Sequence, residues 1–145
     1  LQKDFKMQTT LLTNRELKGF IKVADILTCG DRDFPKFSTT DFYKKVDYIL
    51  EELPKEDFDG IKLLFNVFSF LPSFLISFIV FLTENPFGPS FIKNNLFKIN
   101  SGLKGIVFTL YYSRLPGEGE RIFSLLGWDT KIPGYVGTNK FNELN

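Results

Sequence analysis

The chain has 145 residues and a formal net charge of +1, with eighteen phenylalanines, one cysteine and no histidine. Histidine titrates nearest neutrality and is the commonest metal ligand, so its absence removes most triad, zinc and haem arrangements. The basic residues stand singly or in pairs such as Lys44-Lys45, which gives no stripe for neutralising phosphates and no support for nucleic-acid binding.

A chain of this length can bury a core of its own, and one domain is the expectation. Residues 1–12 read as an irregular arm. The chain begins at Leu1 instead of methionine, which raises the expectation of an upstream leader. Thr13-Asn14-Arg15-Glu16 fits a capping box, with Leu12 and Leu17 as its hydrophobic staple. The helix that starts there carries Leu17, Phe20, Ile21, Ala24 and Leu27 on one face, and Gly30 is placed to end it in a left-handed cap. Cys29 reads as a small apolar residue near that helix end.

A loop, 31–38, holds Phe34-Pro35 and Phe37. Thr39 or Thr40 can cap a second helix with Phe42, Val46, Ile49, Leu50 and Leu53 on its apolar face, closed by Pro54. Its charges, Lys44, Lys45, Asp47, Glu51 and Glu52, read as a solvated surface.

From Ile61 to Leu82 sixteen of twenty-two residues are apolar and Lys62 is the only charge. That length suits a membrane span. Pro72-Ser73 in its middle also suits two short helices, 57–71 and 73–83, and this second reading is preferred. A helix apolar all round must lie in a bundle, in lipid or against a partner. Residues 85–89 carry two prolines and a glycine and read as a break, with Ser90 as a cap. From 91 to 113 the pattern is helical, with Phe91, Leu96, Phe97, Leu103, Ile106, Val107, Leu110 and Tyr111 as inward positions. Gly102 and Gly105 weaken this helix or permit close contact, and an interruption near 100–102 is compatible with the pattern. Residues 115–145 read as an irregular tail, with one or two helical turns at 121–126 and with Trp128 and Tyr135 as anchors for docking.

No chemical motif emerges from the chain. Gly117-Glu118-Gly119-Glu120 lacks the third glycine of a dinucleotide loop and sets carboxylates where phosphate would sit. The paired acids Glu51-Glu52, Asp57 with Asp59, and Glu118 with Glu120 lie in polar or loop surroundings and read as surface charge. Tyr111 and Tyr112 point about 100° apart on a helix, so one can pack while the other reaches a partner. The sequence therefore predicts an all-α single bundle of about five or six helices that binds and does not catalyse. Phe34, Phe37, Tyr112, Trp128 and Tyr135 are the candidate partner contacts, because large aromatics in irregular segments make favoured anchors.

The stretch 20–27, FIKVADIL, then Phe34-Pro35 and Val46-Asp47, then 103–113, LKGIVFTLYYS, and finally Leu126-Gly127-Trp128 resemble in order the small subunits of flavin-dependent sugar and polyol dehydrogenases, the gluconate 2-dehydrogenase subunit 3 type. The resemblance covers residues 14 to 130. It implies a helical, non-catalytic accessory subunit that clasps a large FAD-dependent dehydrogenase of the glucose–methanol–choline type. Such a subunit assists the folding or export of its partner, or its attachment to a cytochrome or other electron-transfer subunit. The FAD belongs to the partner, with no cofactor in this chain, and the resemblance favours the periplasm or cell envelope over the cytoplasm. Two further readings are a membrane-associated protein anchored through residues 63–82 and a carrier of an apolar ligand in a phenylalanine-lined interior.

Overall fold

The computed structural model describes residues 9–28, 30, 33–113 and 118–126. Within them the chain forms α1 (Asn14–Thr28), two 3-10 turns (Phe37–Thr39 and Phe42–Lys45), α2 (Val46–Leu50), α3 (Lys55–Phe70), α4 (Ser73–Glu84), α5 (Ser90–Tyr111) and α6 (Glu118–Leu125). Among the described residues there is no strand, and the protein is an all-α bundle around one hydrophobic core.

The bundle is organised by α1, which packs chiefly on α3 and also meets α4, α5 and the Phe37 turn. Its start is fixed by the capping box. The Thr13 amide donates to Glu16 Oε2 at 2.8 Å, and the Glu16 amide donates to Thr13 Oγ1 at 3.3 Å. Each partner satisfies an amide that the first turn leaves without a carbonyl. Leu12 and Leu17 are both buried beside it. Leu17, Phe20, Ile21 and Ala24 then face inward, as their spacing predicts, with Val23 buried next to them. Phe20 is the centre of an aromatic group: its ring lies 5.3 Å from that of Phe37 and 5.2 Å from that of Phe65. Phe37 meets Phe42 at 6.0 Å, and Phe42 meets Tyr111 at 5.8 Å. Burial of each such side chain contributes about 1.5–3 kcal/mol.

Close approach of α1 to α3 depends on Gly19. A Cβ at this position would overlap the Phe65 carbonyl oxygen and would come within 2.8 Å of the Phe65 carbonyl carbon and 2.9 Å of the Ser69 amide nitrogen. Gly102 and Gly105 permit no such contact, because nothing lies within 4 Å of a Cβ built on either. Gly30 is also placed for room: a Cβ there would stand 2.6 Å from the Lys36 backbone nitrogen. The left-handed cap expected at Gly30 is not formed, and the glycine with positive φ among the described residues is Gly88, at 91°.

Other expectations are corrected by the structure. The second helix is shorter than its stripe suggests, because the chain first makes two 3-10 turns, and the Thr40 hydroxyl donates to the Phe37 carbonyl at 2.7 Å to close the first of them. Phe42, Val46 and Leu50 are buried all the same. The run 61–82, by contrast, is two helices as its preferred reading has it, separated by Leu71 and Pro72 in extended conformation (ψ 141° and 152°). No helix among the described residues is long and apolar enough to cross a membrane. The fifth helix is continuous through 100–102 and begins at Ser90, with Pro89 and not Ser90 in the capping position. Glu118 to Glu120, expected in the irregular tail ahead of the helical turns at 121–126, form the first turn of α6.

Lys22 ties α1 to the break after α3. Its Nζ donates to the carbonyls of Ser69 at 2.9 Å and Leu71 at 3.0 Å, which lie where α3 has run out of amide donors. Desolvation, and secondarily the charge of Lys18, holds the Lys22 ammonium below the ordinary lysine value.

Candidate docking surface

The side chains named by sequence for partner contact are not gathered at one place. Phe37 is fully buried among Phe20 and Phe42, because its 3-10 turn is folded under α1, and it serves the core. Phe34 is half-buried and packs on the same core. Tyr111 and Tyr112 divide as adjacent helix positions must: Tyr111 is buried and its hydroxyl donates to the Pro35 carbonyl at 2.6 Å, while Tyr112 is 37% exposed with its ring 5.0 Å from that of Tyr111. Trp128 and Tyr135 lie outside the described residues.

A broad apolar surface lies elsewhere, on α3 and α4. The inward stripe of α4 is Ile76, Val80 and Thr83, all buried. On the opposite side, about 160° around the helix at 100° per residue, Phe74, Phe78 and Phe81 face outward, with Phe74 70% exposed. The preceding helix repeats the arrangement: Phe65, Phe68 and Ser69 are buried, and Leu63, Val67 and Phe70 are exposed. Each helix thus carries two apolar stripes back to back, and the bundle uses one of them. Polar company along the outer stripes is thin, although the Arg15 guanidinium sits 4.9 Å over the Phe70 ring. Six large side chains in two stripes exceed the scattered exposed leucine or phenylalanine of an ordinary surface.

The sequence signal for this surface was present in the mean character of 61–82, where apolar residues outnumber what a single buried face needs. Periodicity could not select which of two equal stripes would face out. The same ambiguity explains Phe91 and Phe97, expected inward and found 66% and 64% exposed. Both precede Leu103, the first buried residue of α5.

Two ion pairs tie neighbouring helices together. Lys104 meets Glu84 at 2.7 Å, and Lys62 lies 3.9 Å from Glu16. Among the described residues no group of three histidine, cysteine or acidic side chains is placed to hold a metal. Comparisons with models of known protein families, with curated proteins and with solved structures find no match to this chain.

Proposed function

We propose that this chain is a non-catalytic accessory subunit that binds and stabilises, or helps export, a large FAD-dependent sugar or polyol dehydrogenase. The outer stripe of α4, Phe74, Phe78 and Phe81, is the observation that supports a binding role. These rings contribute nothing to the core of this chain, and exposed to water they carry the cost of unburied apolar area. A protein surface that covers them removes that cost, and aromatic residues are the side chains that dominate such contacts. The class of partner comes from the resemblance of residues 14–130, and the flavin chemistry belongs to that partner. Tyr112, partly exposed at the end of α5, is a second and separate candidate contact.

The test is affinity capture of the tagged chain from its own cells, with an absorption spectrum of the eluate. A large stoichiometric partner with a flavin spectrum, lost when Phe74, Phe78 and Phe81 are replaced by serine, is the expected result. A folded chain recovered alone, or with a colourless partner, refutes the reading.

A further inference from the structure

We propose that the N-terminal half of α5, together with the loop before it, seats the chain on an anionic lipid surface. This surface is made of other residues than the outer stripes of α3 and α4, and the inference does not depend on the accessory-subunit reading.

Three observations carry it. First, Ser90 to Gly102 contributes no buried residue, although from Leu103 onward the same helix is core. This stretch of helix is not held for the sake of the bundle, yet it exposes Phe91 and Phe97, and the loop exposes Phe87. Second, no aspartate or glutamate occurs between Glu84 and Glu118. Glu84 itself is matched by Lys104 at 2.7 Å, which leaves Lys93 and Lys98 as the exposed charges of this half-helix. Third, helical spacing pairs each exposed ring with one ammonium. The half-buried Ile92, Leu96 and Asn100, four residues apart, mark the inner edge. Phe91 and Lys98, seven apart, share the outer direction within about 20°, and Phe97 and Lys93, four apart, share a flank within about 40°. Between them stand the uncharged Asn94 and Ser101, and Asn95 lies on the far side of Phe91.

Rings beside lysines, with no acid near, suit a helix that lies in the membrane interface. The rings enter the boundary of the acyl chains, and the lysine stems lift their ammonium groups to the headgroup phosphates. The helix lies on the bilayer and does not cross it, as Lys93, Lys98 and Lys104 along its length require. The outer stripe of α3 has no comparable bias, since Glu56, Asp57 and Asp59 precede it and would be repelled by the same lipids.

The test is co-sedimentation of the full chain with vesicles of phosphatidylcholine, with and without phosphatidylserine. Binding is expected on the anionic vesicles, weakening as salt is added. K93Q/K98Q should lower that partitioning about tenfold or more, and F91S/F97S should lower it too. Circular dichroism melting of both variants should match the parent, because all four side chains are exposed. The proposal is overturned if the folded chain ignores anionic vesicles, if it binds neutral and anionic vesicles equally, or if K93Q/K98Q binds like the parent. It is equally overturned if F91S/F97S loses a protein partner while keeping its lipid binding, since the surface then belongs to a protein.

Discussion

Replacing Gly19 by alanine tests the packing of α1 on α3, which organises the bundle. Ordinary contact begins near 3.4 Å, and the new Cβ would stand 2.8 Å from the Phe65 carbonyl carbon, so the helices must part by at least about 0.6 Å. A gap of that size forfeits roughly a quarter or more of the dispersion attraction between the facing atoms. Overpacking costs about 1–3 kcal/mol, and the upper end applies here because the atoms met are backbone and cannot swing aside. Alanine returns about 1 kcal/mol of helix propensity, which leaves a net loss of about 2 kcal/mol. For a chain of this size that is a fall of about 4–8 °C in melting temperature. Urea unfolding followed by circular dichroism measures the difference directly, with Gly60→Ala as the control. Nothing lies within 4 Å of a Cβ on Gly60, so that variant should gain up to about 1 kcal/mol. Should Gly19→Ala gain stability alongside Gly60→Ala, the close approach of the two helices would be refuted.

Thr13→Ala should cost about 1 kcal/mol, read by chemical unfolding, because it removes the oxygen that accepts from the Glu16 amide. Tyr111→Phe should cost about 0.5–1.5 kcal/mol by the same assay, since the Pro35 carbonyl loses its donor. Replacing Phe74, Phe78 and Phe81 together by serine should change stability little and raise solubility, as seen by melting and by light scattering. Lys22 gives a pH signature. Its folded pKa lies below the ordinary value of 10.5, so between the two values the unfolded chain binds more protons and stability rises with pH. Lys22→Met should abolish this rise when melting temperatures are compared across alkaline pH.

The start of the first helix was legible to the residue because two independent local signals, the capping box at Thr13 and the stripe from Leu17 to Leu27, agree on it. The division at Pro72 was legible for a similar reason, since proline suits the start of a helix better than its middle. What could not be read depends on distant partners. Gly19 looks like a weak point in α1 until the Phe65 carbonyl is brought against it, and no local pattern announces that. Gly30 invited a left-handed reading, while its real constraint is the Lys36 backbone beside it. Phe37 looked available in a loop, but the loop folds as a 3-10 turn that carries the ring under Phe20. The outer apolar stripes on α3 and α4 were legible as surplus apolar area and not as particular residues.

The position of α1 in the bundle also has a consequence for synthesis. It leaves the ribosome before the helices that cover it: its main partner Phe65 follows more than forty residues later, and the ring of Tyr111 that completes the Phe20–Phe37–Phe42 group comes later still. Until then its apolar face is covered only in part, by the Phe37 turn. Contacts so far apart in sequence make closure slow, and they leave the nascent chain exposed to aggregation through the stretch in which the phenylalanine-rich α3 and α4 are being made. A ribosome-bound chain truncated before Tyr111 should therefore remain open to protease at α1, and release of a chain that includes α5 should close it.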